Sequence, residues 1–192
     1  VLDINKDMFF LDQKVDTVWN TVDFDFFPDS TNSLNYFIRR PWKYGEEYRI
    51  EVDSAAIHSL YGKWNDFFTG EFKIKKEDEY GHLYLNINGV DTTAFVELLS
   101  TGDAPVRKAK VKDGGVLFMD LKPDKYYARI VIDTNDNGVW DTGNYAEKRQ
   151  PEEVYYSPKM YEIMQNWQVE ETWNVNSTPL AKQKPLEITK NK

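Results

Sequence analysis

Alternation of apolar and polar residues, repeated along most of its length, constrains this chain more than any other feature. Leu83, Leu85 and Ile87 are interleaved with His82, Tyr84 and Asn86. Successive side chains of an extended strand point to opposite faces, so this spacing describes a strand with one face in a core and one in water. The same pattern runs through residues 21–27, where Val22, Phe24 and Phe26 oppose Asp23 and Asp25. It recurs in residues 48–53, with Tyr48, Ile50 and Val52 inward, and at Phe72 and Ile74 between Glu71, Lys73 and Lys75. Further predicted strands cover residues 95–99, 107–111, 116–121 and 126–133.

Turn chemistry separates these runs. Pro28-Asp-Ser-Thr-Asn32, Lys43-Tyr-Gly45, Tyr61-Gly62, Gly102-Asp-Ala-Pro105, Asp113-Gly-Gly115 and Lys122-Pro-Asp124 all carry residues suited to tight reversals. Short strands with turns at this spacing predict an all-β chain of small antiparallel β-sandwiches. Composition agrees: 15% of the residues are aromatic, and broad rings pack well on half-buried sheet surfaces.

The charged run Lys75-Lys-Glu-Asp-Glu-Tyr-Gly81 is the best boundary, because strand patterning restarts just beyond it. The expected organisation is a first domain over residues 1–78, a second over 79–174, and a polar, flexible tail over 175–192. Residues 159–173 read two ways. Met160, Ile163, Met164 and Trp167 fall at helical spacing, while Tyr161, Ile163, Gln165 and Trp167 line one face of a strand. Periodicity alone leaves both open.

One loop stands out. Asp133-Thr-Asn135-Asp-Asn137-Gly138-Val-Trp140-Asp141-Thr-Gly-Asn144 places oxygen-bearing side chains at positions one, three, five and nine, with glycine at six. That is the layout of a calcium loop, with Asp133, Asn135, Asn137 and Asp141 as side-chain ligands and Val139 offering its carbonyl. Calcium is the one candidate cofactor. The stretch before the loop reads as a strand, not as the entering helix of an EF-hand, and Asn144 stands where that pattern wants glutamate. The other reading is a long hairpin turn in which Asp and Asn side chains bond local backbone.

Two stretches resemble a known family. Residues 44–62 (Tyr-Gly-Glu-Glu-Tyr-Arg-Ile-Glu-Val-Asp-Ser-Ala-Ala-Ile-His-Ser-Leu-Tyr-Gly), followed by Phe68-Thr-Gly-Glu-Phe72, resemble the closing strands of bacterial Ig-like domains of the SbsA or Big_5 type. His58-Ser59 departs from the acidic residue usual there. Residues 127–145, which contain the Asp133 loop, and Gln150-Pro-Glu-Glu-Val154 are similar to the C-terminal module of Ig-like-domain surface lipoproteins from Bacteroidetes, a transthyretin-like or prealbumin-like module. The resemblance implies an Ig-like sandwich followed by a transthyretin-like one, and a strand over residues 159–173. It also implies extracytoplasmic placement at the periplasm or outer-membrane surface, through an N-terminal lipid carried by a portion ahead of Val1. On this reading the first domain is partial, its opening strands short or missing before Leu11.

Function classes narrow by elimination of motifs. The chain has no cysteine, which removes thiol catalysis and thiolate metal sites. His58 and His82 are the two histidines, and neither sits in a His-Glu-x-x-His pattern. No Gly-x-Ser-x-Gly elbow or phosphate-cradling loop appears. A net charge of −8, with Arg39-Arg40-Pro-Trp42-Lys43 as the one basic cluster, argues against nucleic acid. No apolar run reaches the roughly 18 residues of a membrane span. The expectation is a non-catalytic structural or adhesive module of a cell-surface protein, with a protein or glycan partner there. Two alternatives are a carbohydrate-binding module, using Trp140 and Tyr145 with Tyr155, Tyr156, Trp167 and Trp173 as a stacking platform, and a hydrolase built on a carboxylate pair.

Overall fold

The computed structural model describes residues 3–30, 32, 34–90, 93–179 and 182–188. The chain is all-β, and it divides into two units between Glu77 and Asp78.

The first unit contains β1 (Asp3–Ile4), β2 (Phe9–Val15), β3 (Val18–Thr21), β4 (Asp25–Pro28), β5 (Tyr36–Arg39), β6 (Glu47–Val52), β7 (Ile57–His58) and β8 (Phe68–Lys73). Four strands form an antiparallel sheet in the order β3-β2-β6-β8, and β1–β7 and β4–β5 form separate pairs. Leu11, Tyr48 and Ala56 are fully enclosed. Tyr48 sits against Trp42 and Phe72, with ring centroids 5.0 and 5.7 Å away, and its hydroxyl accepts from the Lys43 N–H at 3.2 Å. The β4–β5 hairpin stacks Phe26 on Tyr36 and packs Phe26 against Phe9 at 4.8 Å. The run 21–27, expected as one strand, is two: β3 ends at Thr21 and β4 starts at Asp25. The Val22 N–H turns back to the Leu11 carbonyl between them. Arg39 and Arg40, read as a basic cluster, lie over the rings of Phe27 and Tyr48 at 4.5 and 5.3 Å.

The second unit contains β9 (Gly81–Asn88), β10 (Ala94–Leu99), β11 (Pro105–Lys110), β12 (Gly115–Leu121), β13 (Asp124–Ile132), β14 (Val154–Tyr156), β15 (Tyr161–Ile163) and β16 (Gln168–Asn174). One sheet has the order β11-β10-β13-β14, with β15 also on β13, and the other has β12-β9-β16. Leu83, Leu85, Ile87, Val116, Phe118 and Trp173 of one sheet enclose a core with Val96, Leu98, Ala128 and Ile130 of the other. Asp113 and Gly114 both take positive φ, 50° and 75°, between β11 and β12. Aspartate followed by glycine suits that geometry, because glycine meets no Cβ penalty there. Pairing is antiparallel except between β9 and β16, which run parallel from His82–Gln168 to Asn88–Asn174.

Residues 159–173 hold two strands, β15 and β16, with a turn between them in which Asn166 has φ 56°. Tyr161 and Ile163 face the core as the strand reading requires, but Trp167 is exposed. Of the tail expected to be flexible, residues 175–179 and 182–188 are described. Val175, Gln183 and Ile188 are buried, and Ile188 packs with Leu99 and Tyr127. Gln183 donates to the carbonyls of Val175 and Thr178 and accepts from the Tyr156 N–H. Lys184 pairs with Asp103 at 2.6 Å, and that carboxylate holds its amine above the ordinary lysine pKa.

Candidate functional site: the Asp133–Glu153 loop

The loop begins where β13 runs out at Ile132. Asp133 is 3% exposed and held at both ends of its main chain: its N–H donates to the Thr93 carbonyl at 3.0 Å, and its carbonyl accepts from the Thr93 hydroxyl. The carboxylate points into the loop, where Oδ1 accepts from the Asn137 N–H at 3.1 Å and Oδ2 from the Gly138 N–H at 2.7 Å. Gly138 has φ 74°, which lets the chain reverse beneath that carboxylate.

Each later position answers an earlier one. Asn135 Oδ1 accepts from the Asn137 N–H at 3.1 Å, and Asn137 Oδ1 accepts from the Val139 N–H at 2.7 Å. Those two bonds set the amide orientations, and both Nδ2 groups then donate to Asp141 Oδ2, at 2.5 Å from Asn135 and 2.8 Å from Asn137. Four of the residues expected as calcium ligands, Asp133, Asn135, Asn137 and Asp141, are therefore brought together by their side chains, while Val139, expected to offer its carbonyl, joins through its N–H. A cation needs oxygens at its centre. Here two amide N–H groups face Asp141, so the arrangement as folded does not fit calcium without both amides turning over. Among the described residues no group of three His, Cys, Asp or Glu side chains is placed to share a metal.

Asn144, at position twelve, is engaged elsewhere. It exchanges main-chain bonds with Arg149, and its Oδ1 accepts from the N–H groups of Ala146 and Glu147. It thus closes a second, smaller turn on which Tyr145 is fully exposed. Trp140 is 47% exposed, and its indole N–H is tied to the Glu152 carbonyl at 2.9 Å, which fixes the ring. Of the other aromatics read as a platform, Trp173 belongs to the sandwich core, Tyr155 is partly buried against it and Tyr156 packs beside Ile188; Trp167 is half exposed.

Sequence reading missed Glu152. Its Oε1 accepts from the Thr134 N–H and hydroxyl and its Oε2 from the Asp141 N–H, so one carboxylate joins the two ends of the loop. It also missed two lysines of β11: Lys108 donates to the Gly138 carbonyl and Lys110 pairs with Asp136 at 2.5 Å. The signal for Glu152 was present in the string Gln150-Pro-Glu-Glu-Val154, but it lies eleven residues past Asp141 and outside any ligand spacing. A cleft of about 450 Å³ opens beside the loop, lined by Ile132, Asn135, Asp141, Arg149, Pro151 and Glu153 among others.

No protein-family model matches the chain, and a search of curated proteins finds no match either. Among the described residues no helix is long and apolar enough to cross a membrane.

Proposed function

We propose that this chain is a non-catalytic structural or adhesive segment of an exported bacterial surface protein, held at the envelope by an N-terminal lipid. One observation carries the reading. In the long excursion between β13 and β14, the groups with chemical potential (Asp133, Asp141, Glu152 and the Trp140 indole) hold backbone and side chains of the loop itself. Carboxylates bound in this way stiffen a display loop; they are poorly placed to act on a substrate. The resemblance of residues 44–72 and 127–154 to Ig-like-domain surface lipoproteins supports the exported placement. The strand order of the second unit, two facing sheets with a parallel pair at β9 and β16, supports a transthyretin-like module. Fold alone leaves the partner open.

The test is surface exposure in the source cells. Antibody to the chain is expected to label intact cells, and protease added outside is expected to remove the signal. Labelling that appears only after lysis overturns the surface placement.

A second reading has its own observation: Trp140 presents a ring fixed at its N–H edge, and Tyr145 stands wholly exposed on the neighbouring turn. Rings of this kind stack on the C–H faces of sugars. Retention on an insoluble polysaccharide that is lost in Trp140→Ala, with the fold intact by circular dichroism, would move the function from scaffold to carbohydrate binding.

A further inference from the structure

The geometry points to Asn137 as a self-modifying residue, one whose side-chain amide cyclises onto the Gly138 nitrogen and is lost as ammonia. Three contacts surround the reacting groups, which are neighbours in the chain. The nucleophile, the Gly138 N–H, donates to the Asp133 carboxylate at 2.7 Å, so a proton acceptor already sits on it. The electrophile, Asn137 Cγ, has its oxygen bonded to the Val139 N–H at 2.7 Å. That donor lies where negative charge grows as the nitrogen attacks. The departing nitrogen, Asn137 Nδ2, lies 2.8 Å from Asp141 Oδ2, which holds it within the same polar network.

The step balances without a co-reactant other than water. The Gly138 nitrogen forms a bond to Asn137 Cγ, the Cγ–Nδ2 bond breaks, the Gly138 proton passes to Asp133, and solvent water carries a proton on to the leaving nitrogen. Ammonia departs, and water opens the succinimide to aspartate or, through the other carbonyl, to isoaspartate. The space beside the Gly138 Cα is open, since a Cβ there would meet nothing within 4 Å.

The chain carries its own control. Asn88-Gly89 is the other Asn-Gly pair. There a Cβ at Gly89 would meet Asn176 Nδ2 at 3.0 Å, so the space beside that glycine is crowded where the space beside Gly138 is open. Modification is therefore expected at Asn137 ahead of Asn88. The product matters for the loop: a carboxylate at 137 removes the donor that closes on Asp141 and sets two negative groups against each other.

The experiment is to age the full chain in mildly alkaline buffer and map peptides by mass, with enzymatic methylation of isoaspartate as a second readout. The expected result is conversion of Asn137 from amide to acid while Asn88 remains an amide. Asn137→Gln is expected to abolish the isoaspartate signal from this loop, and Asp133→Asn to slow conversion at 137 without altering Asn88. Conversion at Asn88 as fast as at Asn137, or an Asp133→Asn chain that converts at 137 as fast as the parent or faster, overturns the proposal.

Discussion

Tyr161 and Asp133 show how single polar groups are held in the second unit. The Tyr161 side chain lies in the core, 3% exposed, with its hydroxyl 2.7 Å from Ser157 Oγ. Burial disfavours the phenolate and pushes its pKa up to about 12 from an ordinary 10.0. The folded state therefore releases the proton later than the unfolded chain does. Its contribution is whole below pH 10 and disappears as pH rises through the folded value of about 12. The gap between the folded and unfolded values corresponds to about 2–3 kcal/mol. Denaturant unfolding is expected to weaken across that window, and Tyr161→Phe to flatten this part of the pH profile. An unchanged profile in Tyr161→Phe would refute the assignment. Asp133→Ala strands the main-chain donors of Asn137 and Gly138 and is expected to cost about 1–3 kcal/mol. Asp136→Ala removes an exposed ion pair with Lys110 in the same loop and is expected to stay within roughly 0.5 kcal/mol of the parent. Equal losses in the two variants would mean that the Asp133 network is not what holds the loop.

At the scale of elements, the turn between β15 and β16 and the C-terminal segment do the least obvious work. Gly81 begins β9 directly against that turn: a Cβ there would lie 2.5 Å from both Ile163 Cγ2 and the Met164 carbonyl oxygen, and 3.2 Å from the Trp167 carbonyl. Backbone cannot step aside as a flexible side chain can, so Gly81→Ala is expected to destabilise by about 1–3 kcal/mol in equilibrium unfolding. A neutral result would show the turn to be loosely placed. Ile188→Ala is expected to cost about 2–5 kcal/mol by the same measurement, because the side chain closes a cluster with Leu99 and Tyr127.

These elements also mark the limit of what sequence shows. Strands β9, β10, β12 and β13 were legible because their apolar residues alternate against water or form short buried runs between turns. The β15–β16 break was hidden, since Tyr161 and Ile163 continue smoothly into Gln165 and Trp167 by twos. The parallel union of β9 with β16 spans 86 residues between Asn88 and Asn174 and leaves no local mark. The burial of Gln183 and Ile188 rests on the bonds of one glutamine and the packing of one isoleucine, which periodicity cannot detect. In the loop, the oxygen-bearing residues stand out in sequence by their spacing. Their amide orientation, and the part played by Glu152, come from backbone hydrogen bonds that only the folded chain displays.

For the whole molecule, each unit carries its own buried residues, and the main core cluster lies entirely within residues 83–175. A fragment covering residues 78–192 is therefore expected to fold cooperatively by itself, with sharp tertiary circular dichroism. A fragment that stays unfolded would contradict the division at Glu77. Most central is the Asp133–Glu153 loop as a scaffold closed by its own side chains. Thermal melting of freshly prepared chain in excess EDTA and in about 5 mM calcium tests this most directly. A calcium site in the affinity range of extracellular modules would add about 1–2 kcal/mol and raise the midpoint by several degrees. Superimposable curves are predicted, because Asn135 and Asn137 already present their amide donors to Asp141. A calcium-dependent rise that vanishes in Asp133→Ala would contradict the scaffold and make the loop a metal site.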